Sequence, residues 1–310
     1  MKPITIITSV YSVPDEFLLK VAKAVKQQRY SGKIRHIMIN DNVKRKVNVP
    51  GVECVNHTKN KGLVSTLNEG FKMAKTEYVV SLMDDCLPSS KNWLKTLVEP
   101  LDTDKNVAAT TSEVEMPRKF WETFEYFTKA LTEKEQRVIV PGLDEKGCAY
   151  RCSILRKVGY LNEKDFKNGG EDTDLTVKLQ KSRWKIVNTK ARVYHYHHFT
   201  FRSRVRKEIQ YARLSGLVSR KHFFSLPWNF KAHITARLAI AAFFIYSMIT
   251  GNFTTLSILF VVAISNLRFP MQLKKLGRDK RILLVPLANL MIYVLYVSNY
   301  TYALLLNPSV

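Results

Sequence analysis

Acidic residues are scarce in this chain. Its 310 residues carry 26 Asp and Glu against 49 Lys and Arg, a net charge of +23. Such a balance asks for an anionic partner, and nucleic acid is the first class to weigh. The placement of the charge points elsewhere. Arg202, Arg204, Arg206, Lys207, Arg213, Arg220, Lys221 and Lys231 face one acid, Glu208, and Phe223, Phe224, Trp228 and Phe230 interleave with the later charges. Basic segments studded with aromatics suit an anionic membrane surface, so no nucleic-acid partner is expected.

Cysteine is sparse too. Cys54, Cys86, Cys148 and Cys152 show no zinc spacing, and a cytosolic domain would keep them reduced; whether Cys148 and Cys152 pair stays open. No G-x-G-x-x-G follows the first strand-like run and no G-x-x-x-x-G-K-[ST] occurs, which excludes the dinucleotide fingerprint and the P-loop. Repeats and low-complexity tracts are absent. Met1 leads almost directly into "ITIITSV", without the charged start, apolar core and cleavage site of a signal peptide, so none is expected.

Charge thins out in the last part of the chain. Beyond about residue 232 lie "LAIAAFFIYSMITGNFTTLSILFVVAISNL" and "ILLVPLANLMIYVLYVSNYTYALLL". These runs are of membrane length. Divided at Gly251 and Asn252, they predict three spans, 232–250, 253–269 and 282–306; a buried soluble hairpin is the alternative for the first run. The flanking "SRKHFFSLPWNFK" and "QLKKLGRDKR" are basic, which places both, and the domain before them, on the cytoplasmic side of a cell membrane crossed several times. The expected division is a soluble domain over 1–200, basic interface helices over 201–231 and a transmembrane domain over 232–310.

In the soluble domain, apolar strands alternate with helical patterns: "ITIITSV", a helix from Asp15 to Gln28, "IRHIMIN", "VECVNH", a helix from Leu63 to Ala74, and "EYVVSLM". That order predicts parallel strands with helices on both faces. Ligands of such sheets collect beyond the carboxyl ends of the strands, where Ser9, Tyr11, Asn40, Asp41, Asp84 and Asp85 fall. Residues 115–138 read as an aromatic-rich amphipathic helix or helix pair that packs on the core or a membrane surface.

Two acid pairs carry the chemistry. "EYVVSLMDDCLP" ends a strand in adjacent carboxylates, which repel unless a cation stands between them; oxygen ligands favour Mg2+ or Mn2+. The alternative is a turn cap. In "NGGEDTDLTVKLQKSRW", acids in a first helical turn suit the helix dipole, an account that fits Asp174. Gly169 and Gly170 permit a sharp turn that aims Glu171 and Asp172 into a cleft. One pair would then serve metal and phosphate, the other proton transfer. In "VYHYHHFTFRSR", strand alternation puts His195 and His197 on one face, in reach of a metal or diphosphate, and Arg202 and Arg204 add phosphate contacts.

Taken in order, "ITSVYSVPDEFLLKVAKAVKQQ", "IMINDN", "NKGLVSTLNEGFKMAKTEYVVSLMDDCLP" and "GCAYRCSILRKVGYLNEKDFKNGGEDTDLTVKLQKSRWKI" resemble the inverting GT-A glycosyltransferases that include cellulose and chitin synthases and dolichyl-phosphate sugar synthases. The resemblance covers most of residues 4–216. It implies a GT-A (Rossmann-like) α/β fold, a mixed, mainly parallel sheet with helices on both faces, plus C-terminal transmembrane helices. It implies that Ser9, Tyr11 and Asp41 bind the nucleotide, that Asn60 and Gly62 form its loop, and that Asp85 is the metal-binding acid of a D-x-D motif with Asp84 in the middle. Met83 stands where the first acid belongs, a departure that leaves fewer carboxylates for the metal. Asp172 would be the general base toward the acceptor hydroxyl, with Glu171 supporting it and Gly170 beside the acceptor. "QKSRW" matches the letters of the Q-x-x-R-W motif but lies one helix beyond the acids, so Gln180 and Arg183 read as helix surface and Trp184 as the entry to the next strand.

The implied reaction moves a sugar, with mannose from GDP-mannose as the first choice, from a GDP- or UDP-linked donor to a lipid-linked or polyprenyl-phosphate acceptor, using Mg2+ or Mn2+. A polyprenyl-phosphate sugar synthase and a processive polysaccharide synthase are the alternatives within the class; three spans are few for a polymer channel. An inactive nucleotide-sugar-binding module is the alternative outside it, and Met83 is its support. Sugar, base and oligomeric state, a homo-oligomer included, stay open.

Overall fold

The computed structural model describes residues 1–306 except Val140, Pro141, Pro227, Phe253 and Arg278. The chain divides into two units, one of residues 1–117 and 135–197, the other of residues 118–134 and 198–310.

The first unit alternates strand and helix as the patterning predicts. Its elements are β1 (Ile4–Val10), α1 (Asp15–Lys26), β2 (Ile34–Asn40), β3 (Glu53–Asn56), α2 (Leu63–Met73), β4 (Tyr78–Leu82), β5 (Cys86–Pro88), α3 (Trp93–Thr103) and β6 (Val107–Glu115). The chain leaves this unit for α4 (Arg118–Trp121) and α5 (Tyr126–Thr132), then returns as β7 (Gly147–Arg151), α6 (Cys152–Lys157), α7 (Glu171–Lys181) and β8 (Lys185–His195). The eight strands form one sheet in the order β3-β2-β1-β4-β7-β6-β8-β5. β1 and β4 are buried along their whole length, as continuous apolar strands covered on both faces must be. β1, β2, β3 and β4 are parallel, whereas β7 runs against both β4 and β6. The mixed, mainly parallel GT-A-like α/β fold expected from the sequence is the fold the chain adopts.

The reversal of β7 matters for the site. It brings the amino end of β7 to the edge where β1, β2 and β4 end. α1 closes one face with Leu18, Val21 and Val25 at helical spacing, its acids Asp15 and Glu16 in the first turn and its lysines in the last. α2 approaches β1 so closely that a Cβ on Gly70 would lie 2.4 Å from Cγ2 of Ile7. Ile7 is β-branched and fully buried, so it cannot yield by rotation. Gly70→Ala is expected to destabilise the chain by about 1–2 kcal/mol net of the helix-propensity gain, measured as a lower denaturant midpoint at unchanged slope.

The second unit holds α4, α5, α8 (Phe201–His222), α9 (Trp228–Thr250), α10 (Thr254–Ser265), α11 (Phe269–Leu276) and α12 (Val285–Leu306). Thr200 opens α8 with a reciprocal cap, accepting from Ser203 N at 3.1 Å while Ser203 Oγ accepts from Thr200 N at 2.8 Å. Among the described residues, one segment, Lys280–Leu306, is by itself long and apolar enough to cross a membrane. The stretch expected as the second span, 253–269, holds α10, which continues into α11 through a bend of 46°.

Candidate active site

Five strand ends and one helix start deliver polar groups to the edge where β1, β2 and β4 end. Asp84 and Asp85 follow β4 and part company. Asp84 is 7% exposed and turns to the loop after β1, where Tyr11 N donates to its Oδ2 at 2.9 Å and the N–H groups of Ser12 and Val13 add to the bond. Burial and the neighbouring Asp85 charge push its carboxyl up to about 6 in spite of those donors. Asp84 thus ties the loop that carries Tyr11 to β4. Tyr11 itself is exposed, and Ser9 is buried within β1.

Asp85 turns the other way. β5 pairs antiparallel with β8, placing Cys86 opposite His195, and Tyr196 N donates to Asp85 O at 2.8 Å. This short pairing brings residues more than 100 apart to one point. Oδ2 of Asp85 accepts from His195 Nε2 at 3.2 Å and from His197 Nδ1 at 2.9 Å, with the two rings stacked 5.6 Å apart. Burial alone would raise the Asp85 carboxyl, but the two imidazoles override it and hold it well below the usual range. One carboxylate oxygen and two imidazole nitrogens, all within 4.8 Å of one another, form a three-donor set that fits a divalent ion. Strand alternation put His195 and His197 on one face, in reach of the metal that the resemblance assigns to Asp85, and the three side chains do meet.

On the β2 side, the carboxylate of Asp41 faces inward to its own loop. Lys61 N donates to Oδ1 at 2.7 Å, Gly62 N to Oδ2 at 2.8 Å, and Asn60 Nδ2 to the Asp41 carbonyl at 3.2 Å. Asp41, Asn60 and Gly62 therefore do come together, and Gly62 at φ +86° turns the chain into α2. His57 belongs to the same group and escaped the sequence analysis: its Nδ1 donates to Asp41 Oδ1 at 2.8 Å, and its Nε2 stands 3.2 Å from Glu69 Oε2.

The second acid pair begins α7. Gly169 at φ +145° and Gly170 at φ +85° make the turn, and Gly170 is the left-handed residue before the helix. Glu171 is buried, 3% exposed. Asp172 Oδ1 accepts from Thr173 N at 2.6 Å and from Thr173 Oγ1 at 3.3 Å. Asp174 pairs with Lys178 one turn on, at 2.8 Å, within its own helix.

Three further residues join this pair. Asp144, Glu145 and Lys146 precede β7; Lys146 Nζ donates to both oxygens of Asp144 at 2.8 and 3.0 Å, and Tyr150 Oη donates to Glu145. Burial and then the Asp144 charge push the Asp172 carboxyl up to about 6. Burial pushes Glu145 up to about 7, and burial, with Asp172 and Glu145 nearby, pushes Glu171 well above its ordinary value. The acids of "LDEKGCAYR" precede a strand instead of following one, and β7 enters the site by its amino end. Arg202 and Arg204 lie on α8 in the other unit, where Arg202 is exposed and Arg204 is fully buried against Glu208 and the Phe199 ring. Gln180 and Arg183 are exposed at the end of α7.

The edge thus carries two chemical poles, a carboxylate with two histidines able to hold a cation, and a carboxyl raised to about 6 among neighbouring acids. Solved structures share the fold. The mannosyltransferase PcManGT from Pyrobaculum calidifontis, solved in complex with GDP-Man and Mn2+, superposes with a TM-score of 0.64 at 16% identity, over 98% of this chain and 87% of that one. GalNAc-T7, solved with UDP, GalNAc and Mn2+, gives 0.52 at 13% identity over 70% of this chain and 48% of that one. No curated protein matches by sequence. The family model described as glycosyl transferase family 2 matches residues 5–159, half of the chain, from β1 through the double acid after β4 to the end of α6. On that match, the chain belongs to glycosyl transferase family 2.

Proposed function

We propose that the chain is a membrane-bound, inverting glycosyltransferase that uses a nucleotide sugar and Mn2+ or Mg2+ and delivers one sugar to a lipid-linked acceptor at the cytoplasmic face. The observation that carries this reading is the pairing of Asp85 with His195 and His197 at one pole and the half-buried Asp172, its carboxyl raised to about 6, at the other. A divalent ion at Asp85, His195 and His197 would neutralise the donor diphosphate and ease its departure. Two imidazoles in the donor set favour Mn2+ over Mg2+, since Mg2+ prefers oxygen alone. The rest falls to this chain's own side chains.

Asp172, ionised above about pH 6, takes the proton of the acceptor hydroxyl as the hydroxyl oxygen bonds to the anomeric carbon and the bond from that carbon to the diphosphate breaks. One displacement inverts the anomeric centre. Burial and then the Asp172 charge push the Glu171 carboxyl well above its ordinary value, which limits the charge it adds beside Asp172. Asp41, Asn60, Gly62 and Asp84 shape the nucleotide side by fixing two loops, with Ser9 and Tyr11 on the neighbouring strand end. Mannose from GDP-mannose is the donor we favour, because the full-length fold match is to a protein solved with that ligand. Gly170 is assigned to the acceptor side.

The test is a donor scan with purified protein in detergent, Mn2+ and extracted membrane lipids. GDP-mannose is expected to turn over only when lipid is present; turnover of another nucleotide sugar would replace the sugar, and metal-dependent binding without any turnover would replace the enzyme by a binding module. Polyprenyl phosphate and lipid-linked sugars, offered separately, divide the two acceptor classes.

A further inference from the structure

The start of α2 is capped from a distant part of the chain. Its N-cap is Gly62, which has no side chain to offer the first N–H groups of the helix. Four successive backbone donors find partners all the same. Lys61 N and Gly62 N go to the two oxygens of Asp41, at 2.7 and 2.8 Å, whereas Leu63 N goes to Asn168 Oδ1 at 3.4 Å and Val64 N to Lys167 O at 3.1 Å. The first pair closes the loop after β2. The second pair reaches the two residues that precede the Gly169–Gly170 turn, Glu171 and Asp172.

The same segment is fastened to α2 a second time. Asn68, on α2, donates from Nδ2 to Leu161 O at 2.9 Å and accepts from Leu161 N at 3.0 Å. Both residues are buried, and a buried hydrogen-bonded pair is costly to break. Gly62 permits the close approach, since a Cβ there would lie 3.3 Å from Lys167 O on a backbone at φ +86°. Residues 161–168 are thus held to α2 at both ends, and all of these contacts lie within the first unit.

Gly169 and Gly170 are conformationally permissive, so the turn itself does not fix where Asp172 stands. The residue before them does. A carboxylate that must meet an acceptor hydroxyl within hydrogen-bond reach tolerates little displacement. We propose that Asn168 is a positioning residue: by capping α2 it holds the turn that carries Asp172 in register with the loop that Asp41 closes, so that the donor side and the base side of the site form one piece. The proposal rests on the reading of Asp172 as the base and of Asn60 and Gly62 as the nucleotide loop. Asn168 carries no proton in the reaction and acts through Asp172.

The experiment is a double-mutant cycle on the full chain in detergent, with radiolabelled GDP-mannose, Mn2+ and extracted membrane lipids. Asn168 is exposed, and the Val64–Lys167 and Asn68–Leu161 bonds remain when it is replaced, so the variants keep the fold. Asn168→Ala is expected to lower kcat about tenfold and leave KM for the donor within about twofold, because a displaced base loses rate and not donor affinity. In the Asp172→Asn background the same substitution should lower the residual rate by less than about twofold, since no base is left to place. Asn168→Asp keeps an oxygen that can cap Leu63 N and should return kcat to within about twofold of the native chain. An equal loss from Asn168→Ala in both backgrounds, or no recovery in Asn168→Asp, would overturn the proposal.

A second readout needs no turnover and separates this proposal from the reaction on which it rests. Amide hydrogen exchange of the ligand-free chain should quicken about fivefold at Leu63 and across 170–173 together in Asn168→Ala, and keep the native rate in Asn168→Asp. Unchanged exchange across 170–173 would overturn the proposal even in an active enzyme. Joint quickening in a chain that turns over no nucleotide sugar would support the tie and refute the reaction instead.

Discussion

Asp172→Asn is expected to lower the rate of sugar transfer by about 10³- to 10⁴-fold while leaving donor affinity within about twofold, because general-base catalysis contributes on this scale and the substitution leaves the metal pole intact. The backbone frame survives it: Gly170 still turns the chain and Thr173 N can donate to the amide oxygen as it does to the carboxylate. The proton must go to an ionised group, so kcat for the native chain should fall on the acid side of about pH 6, where Asp172 titrates. Stability moves in the opposite sense. A carboxyl whose folded value is raised contributes stability below its unfolded value near 4 and loses it as pH rises through about 6. Asp172→Asn should therefore unfold at higher denaturant than the native chain at pH 8, by about 1–2 kcal/mol, and show no gain at pH 4. A variant that is inactive and also more stable at pH 8 separates a lost base from a damaged fold; full activity in the variant would remove Asp172 from the mechanism.

Asp85→Ala is expected to abolish transfer to a similar degree, about 10³-fold, by a different route. The substitution removes the one anionic donor from the set formed with His195 and His197, and a metal that stabilises a leaving diphosphate is worth several kcal/mol. The β5–β8 junction persists because Tyr196 N bonds to the carbonyl of Asp85, not to its side chain. Mn2+ titration of the nucleotide-bound protein followed by electron paramagnetic resonance should show binding in the native chain and a loss of at least tenfold in affinity in Asp85→Ala, with intermediate losses in His195→Ala and His197→Ala. Chelation should silence the native enzyme and Mn2+ should restore it better than Mg2+, as two imidazole donors dictate. Unchanged Mn2+ affinity in Asp85→Ala would show that the ion is held elsewhere.

Several of these features were legible before any coordinates. β1, β2, β4, α1 and α2 fall within one or two residues of where the apolar periods place them, since each element buries its own stripe and needs no distant partner to declare it. The turn before Asp172 was legible because two consecutive glycines permit φ values near +145° and +85° whatever surrounds them. Asp174 as helix-start chemistry was equally local, and it does pair with Lys178 in its own helix.

Other features were not legible, for identifiable reasons. The double acid after β4 reads as one unit, but Asp84 and Asp85 point to different partners, one to the β1 loop and the other to two histidines 110 and 112 residues away. The resemblance assigned the metal to Asp85, but nothing in "MDDCLP" says that Asp84 holds the loop after β1. Asp144 and Glu145 precede their strand instead of following it, and only the antiparallel direction of β7 brings them to the edge where β1, β2 and β4 end. His57 carries no local signal, because its partner Asp41 is distant in the chain and spends its carboxylate on Lys61, Gly62 and His57 itself.

The sequence by itself determined the strand and helix alternation, the glycine turn ahead of Asp172, the family and the long apolar runs of the C-terminal part, all of which rest on local periods, local turn chemistry, ordered motifs and composition. Only the tertiary structure decided that Asp84 holds the loop after β1, which acids surround Asp172 and what lies beside α12. Those depend on strand direction and on packing partners far away in the chain.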